Sequence, residues 1–129
     1  MTMLTKNFAL AEFATNDGTP VPPDKIATVR RLAKNLQKLR DFYDRPVVIT
    51  SGYRHREYNR RVGASDGSRH VVGDAADLRI AGVDPGEIAA TIEGLIRCGA
   101  MEGGGLGIYD THVHYDLGGA WRRWDERSG

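Results

Sequence analysis

The stretch "GGGLGIYDTHVHYDLG", Gly103 to Gly118, decides the fold class. It divides at Asp110-Thr111 into two short extended segments, "GGGLGIY" and "THVHYDLG", joined by a tight turn. Strands joined through so short a turn pair antiparallel, because a parallel return needs a long crossover. With "THVHYD" extended, His112 and His114 project to one face and Val113 to the other, toward a core. The glycines from Gly103 to Gly107 lack the lysine of a phosphate loop and a complete dinucleotide fingerprint. They read as turn and close strand packing.

Upstream, "DPGEIAATIEGLIRCG" is a helix. Asp84 caps it, Pro85 takes the first helical position, and Glu87 makes a capping-box arrangement with Asp84. Ile88, Ile92, Leu95 and Ile96 form its apolar face, and Gly99 ends it. Before it, "DAADLRI" reads as a strand, "ASDGS" as a loop and "HREYNRRVG" as a brief helix closed by Gly63. "PVVITS" is a short strand rich in β-branched residues. The clearest helix starts at Asp24, a candidate N-cap, and must stop before Pro46. Ile26, Val29, Leu32, Ala33, Leu36 and Leu39 share one of its faces. "TNDGTPVPP" is a loop, with one helical turn over Ala9 to Phe13 ahead of it. Helices first and short strands later indicate an α+β domain with a small, mainly antiparallel sheet packed with helices.

The 129 residues suit a single domain, 1–129, with a core that needs no staples. Apolar residues make up 40% and charged residues 27%, the balance of an ordinary globular chain. A net charge of +1 generates no field that would draw nucleic acid or an anionic membrane. The pairs Arg30-Arg31, Arg60-Arg61 and Arg122-Arg123 are dispersed and read as solvated surface. Cys98 is the single cysteine, so no internal disulfide forms, and it is expected to be a buried or half-buried thiol. "MTMLTKNFALAEFA" has neither the charged n-region nor the long apolar h-region of a signal peptide, and no later run is long enough to cross a bilayer. Synthesis in the cytoplasm and a monomeric state are the matching expectations.

The titratable residues carry the functional signal. His55 follows Arg54 at a helix start and reads as a surface residue. The other histidines are His70, His112 and His114. Zinc takes imidazole and carboxylate ligands, and a catalytic site keeps three protein ligands and one open position. In "SRHVVGDAADLR" His70, from a loop, and Asp77, from a strand, can join one of the two C-terminal histidines as such a set. Gly73, Ala75 and Ala76 between them are small, as expected where a backbone turns closely around an ion. The spare histidine then stands where a proton is handled.

Several separated motifs occur in one order: "SGYR", "YN", "VG", then Ser68, His70, Gly73, Ala75 and Asp77 in the spacing Ser-x-His-x-x-Gly-x-Ala-x-Asp, and "HVHYDLG". From about Phe8 to Leu117 the chain thereby resembles the M15 family of zinc D,D-peptidases. It is most similar to the D-alanyl-D-alanine carboxypeptidase-like branch found in phages and prophages. The resemblance implies the small α+β scaffold shared with the Hedgehog signalling domain, and a zinc enzyme that cuts peptide bonds of bacterial cell-wall stem peptides. It implies His70, Asp77 and His114 as zinc ligands and His112 as the catalytic histidine. It also implies Arg54 as the group that binds or polarises the substrate carbonyl or carboxylate, and Ser68 as a substrate contact. Access to the wall after phage-type release or lysis follows from the same branch.

Other branches carry an acidic base three residues before the last ligand. Here that position is Thr111, which is no base at neutral pH. Strand alternation puts Asp110 on the face of His112 and His114, which makes it the understudy to His112. The rival function is a zinc-bearing cell-wall-binding or phage structural module without hydrolysis. Arg54 and His112 are dispensable for holding zinc, and the presence of both favours the enzyme.

Overall fold

The computed structural model describes residues 1–129. Its helices are α1 (Ile26–Tyr43), α2 (Arg56–Arg61), α3 (Arg69–Val72) and α4 (Pro85–Arg97). Its strands are β1 (Val48–Ser51), β2 (Ala75–Arg79), β3 (Gly105–Ile108), β4 (Val113–Asp116) and β5 (Arg122–Asp125). The five strands form one sheet in the order β1-β2-β4-β3-β5, antiparallel except where β5 runs parallel to β3. This is the expected α+β architecture with a mainly antiparallel sheet.

On α1 the apolar stripe puts Val29, Leu32, Ala33, Leu36 and Leu39 wholly out of solvent. The helix starts later than the sequence suggests. A 3-10 turn over Pro23–Lys25 precedes it, so Asp24 lies inside that turn and caps nothing. Pro23, with its φ preset, opens the turn. At the other end Asp44 takes a left-handed conformation (φ 49°), two residues ahead of Pro46. On α4 the Asp84 carboxylate accepts from the Gly86 N–H at 2.9 Å, as a cap should. Glu87 does not complete a capping box; its carboxylate faces the Tyr43 hydroxyl of α1 at 3.5 Å. Cys98, expected to be at least half buried, is exposed, because the last turn of α4 carries it away from the core.

Alternation divides the sheet into two unlike faces. Ala76, Leu78 and Ile80, Leu106, Val113 and Tyr115 join α1 and α4 in one core of 21 buried residues. The opposite face carries a row set by strand register: Ser51 opposite Asp77, Asp77 opposite His114, His114 opposite Gly107, and Gly107 beside Trp124. A slip of one residue in either central pairing would drive a charged row into the apolar core, so burial of Leu78, Val113 and Tyr115 locks the functional register. An irregularity between Ile49 and Ser51 brings Ser51 level with Asp77. Strand β5 had no counterpart in the sequence reading, because "WRRWD" shows no clean alternation of apolar and polar residues.

Candidate active site

The site is assembled from four segments that converge on the polar face of the sheet. The first is "SGYR", at the end of β1. A Cβ on Gly52 would stand 2.8 Å from the Phe13 Cα, so only glycine lets this strand end pass the N-terminal turn. Tyr53 N–H donates to the Phe13 carbonyl at 2.9 Å, and Arg54 N–H donates to the His70 carbonyl at 3.1 Å. The loop is thus clipped both to the N-terminal turn and to α3.

The second segment is α3. Its His70 was expected on a loop and instead stands on a single helical turn. Ser68 is its N-cap, the hydroxyl accepting from the His70 N–H at 3.3 Å. Gly73 ends the turn at φ 95°, a left-handed conformation that an L side chain resists. Asp74 leads into β2, where Ala75 and Ala76 are fully buried. The small residues between His70 and Asp77 therefore serve a helix cap and a close-packed strand start rather than a wrap around an ion.

The third and fourth segments are β2, carrying Asp77, and β4, carrying His114. His70 Nδ1 lies 2.8 Å from the Gly52 carbonyl, which can only accept, so this nitrogen carries the proton. His114 Nε2 lies 2.7 Å from Asp116 Oδ2 and donates to it for the same reason. The other nitrogen of each ring meets the same carboxylate oxygen. Asp77 Oδ1 is 3.3 Å from His70 Nε2 and 3.1 Å from His114 Nδ1. Two imidazole nitrogens and a carboxylate oxygen facing one another can share a metal ion or, without one, a proton. Ligands at about 2.0–2.1 Å in a tetrahedral zinc site stand roughly 3.3 Å apart, and the two spacings to Asp77 Oδ1 match. His70, Asp77 and His114 form a group able to hold a metal, their ligand atoms within 4.8 Å of one another. The orienting contacts on the far nitrogens are those that metal-binding histidines use.

Electrostatics follow from these contacts. Burial by itself raises the Asp77 carboxyl, but hydrogen bonds from His114 and His70 outweigh it and hold the group far below the usual carboxylate range. Burial lowers His114, yet its bonds to Asp116 and Asp77 carry it above the ordinary histidine value. Asp116, with no exposed surface, is raised by burial and lowered more strongly by His114 and the backbone N–H groups of Gly118 and Gly105. Asp116 is one residue the sequence reading missed, as are Tyr109 and Trp124 of the cleft and Ser51 and Asn59 behind Arg54. Asp116 stands two positions after His114 on the same strand, so alternation put it on the same face.

Arg54, Ser68 and His112 line the same cleft as His70, Asp77 and His114, a space of about 470 Å³ shared with Arg69, Tyr109, Arg122 and Trp124. Arg54 is held on three sides. Its Nε donates to Ser51 Oγ at 3.0 Å, and its terminal nitrogens reach Asn59 Oδ1 and Asp77 Oδ2, each at 3.4 Å. It therefore steadies the second oxygen of Asp77 while facing the cleft. His112 precedes β4 and stacks on Tyr109, with Thr111 Oγ1 3.0 Å from its Nδ1.

Asp110 is not part of the group. Strand β4 begins only at Val113, so alternation does not reach back to Asp110, and its exposed carboxylate accepts from the Ser128 N–H and hydroxyl at 2.9 and 2.8 Å. His55 is the N-cap of α2, accepting from the Tyr58 N–H and lying 2.7 Å from Asp17. It takes no part in the cleft. No helix is long and apolar enough to cross a membrane.

Comparison with curated proteins finds no match. A family model described as Peptidase M15 matches residues 4–116, which span the N-terminal turn, α1, "SGYR", the His70 turn, Asp77 and His114. With that match over most of its length, the chain belongs to the peptidase family M15.

Proposed function

We propose that this protein is a zinc-dependent peptidase that hydrolyses the D-amino-acid-containing stem peptides of bacterial peptidoglycan, as a D,D-carboxypeptidase or endopeptidase. The observation that carries the proposal is the convergence of His70 Nε2 and His114 Nδ1 on one oxygen of Asp77, inside a cleft that also holds Arg54 and His112. A zinc ion held there supplies Lewis-acid polarisation of the scissile carbonyl and activation of the attacking water.

The chain's own residues divide the remaining work. Arg54, fixed by Ser51 and Asn59, offers guanidinium charge to the oxygen on which negative charge develops. Its planar fork also suits a substrate carboxylate. His112 moves the proton between the attacking water and the leaving amine. Ser68 caps α3 beneath His70 and turns its residue toward the cleft, where it contacts the peptide. Arg69 and Arg122 extend the cationic wall of the cleft. The resemblance to the phage and prophage branch fits a lysin that meets the wall after release, acting as a monomer.

Purified protein incubated with defined stem peptides and with sacculi, followed by mass analysis of the products, tests the proposal. Loss of a terminal D-residue marks the carboxypeptidase mode, and cleavage within cross-linked material the endopeptidase mode. A zinc-loaded protein that binds sacculi but releases no product would transfer the chain to the non-catalytic class.

A further inference from the structure

The row across the polar face ends in an unusual pair. Gly107 beside His114 has no side chain, and Trp124 of β5 lies over it, so that a Cβ on Gly107 would overlap the indole. The space left by that missing side chain lets the indole reach the His114 ring, with centroids 5.2 Å apart. The Trp124 Nε1–H donates to the Tyr109 hydroxyl at 2.8 Å. The Tyr109 ring lies parallel to the His112 imidazole, 4.5 Å between centroids and 5° between planes. His112 stands outside β4, and its ring has one hydrogen-bonding neighbour, Thr111. The Tyr109 N–H also donates to the His112 carbonyl at 3.0 Å, so the indole, the Tyr109 ring and the His112 imidazole form one connected series. Strand β5, which carries Trp124, lies beyond residues 4–116, the region matched by the family model.

We propose that Trp124 is a positioning residue that acts through Tyr109 to hold the His112 imidazole in the cleft, making the C-terminal strand β5 a working part of the site. This rests on His112 as the group that handles the proton. The glycine at position 107 belongs to the same device, since any side chain there expels the indole.

Trp124→Phe and Tyr109→Phe each remove the same hydrogen bond while keeping a ring in place. In zinc-loaded protein both are expected to keep one zinc per chain and a KM within about twofold. Both should lose roughly 10- to 10²-fold in kcat on a stem peptide, the cost of a misplacement near 1 Å. The ring-current-shifted NMR resonances of the His112 imidazole should move in both variants, and Gly107→Ala should move them as well. In a His112→Ala background, Trp124→Phe should cause no further loss of kcat. The proposal is overturned if the His112 resonances stay in place in both phenylalanine variants. It is equally overturned if the Trp124→Phe loss persists in full without His112. Wild-type protein that hydrolyses no peptide would sink the hydrolase function, and the NMR measurement would still decide the positioning of His112.

Discussion

Replacing Asp116 with asparagine changes one oxygen to an amide and should cost the protein its metal rather than its fold. Asp116 Oδ1 accepts from the Gly105 N–H at 3.0 Å, the Gly118 N–H at 2.9 Å and the Arg122 guanidinium, while Oδ2 accepts from His114 Nε2 at 2.7 Å. Asparagine keeps its single carbonyl oxygen where the three donors point, which turns the amide NH2 toward His114. Two donors cannot face each other, so His114 Nε2 must lose its proton and Nδ1 must take it. Nδ1 is the atom that meets Asp77, and once protonated it can no longer ligate. Loss of such an orienting partner costs about 10- to 100-fold in metal affinity, or about 1.4–2.8 kcal/mol. Competition against a zinc-selective chelator reads that change, and the melting temperature of the metal-free protein serves as the fold control. Asp116→Ala should be worse for folding, since buried donors left without an acceptor cost about 1–3 kcal/mol each. Zinc affinity within twofold of wild type in a folded Asp116→Asn protein would refute the tautomer argument.

Arg54→Lys should keep zinc and fold yet lose about 10²- to 10³-fold in turnover, because an ammonium cannot reproduce the three-sided hold by Ser51, Asn59 and Asp77; near-normal turnover would make Arg54 structural. His114→Ala should lose zinc and activity together, whereas His112→Ala should retain about one equivalent of zinc and lose rate by about 10²–10⁴-fold. Metal content and peptide hydrolysis of the two variants separate the roles, and metal loss confined to His112→Ala would reverse them. The pH dependence of metal-free stability has a worked sign. His114 is raised on folding, so its contribution is complete below the unfolded value of about 6.5 and is lost as pH rises through the higher folded value. Asp77 and Asp116 are lowered, so theirs is complete above about 3.9 and is lost as pH falls through their folded values. Zinc competes with the His114 proton, so the zinc-induced rise in melting temperature should grow from pH 6 to pH 8; thermal scans showing a constant or shrinking rise would contradict this.

Much of the site was legible because its parts lie on regular elements. Period-2 alternation on β4 separates His114 from Val113 and Tyr115 without any knowledge of neighbours. The same rule applied to Asp116 would have placed it beside His114, but the sequence reading did not extend it there. Alternation failed at Asp110 and the capping rule at Asp24, since each residue lies just outside the element the reading attached it to. Termini are the least regular part of an element, and side chains there follow local partners, Ser128 in the case of Asp110.

By itself the sequence determined the α+β class, the apolar stripes that build the core, and the residue types able to bind a metal. Those properties depend on local periodicity and on side-chain chemistry, which are read within a few residues. Tertiary structure alone decided that Asp77 stands opposite His114, 37 residues away, and that His70 reaches them from a capped turn. It also decided that Trp124 fills the space left by Gly107. Register between distant strands is chosen by how the buried face packs. The polar face receives whatever alignment that packing imposes, and only the folded chain reveals which residues then touch.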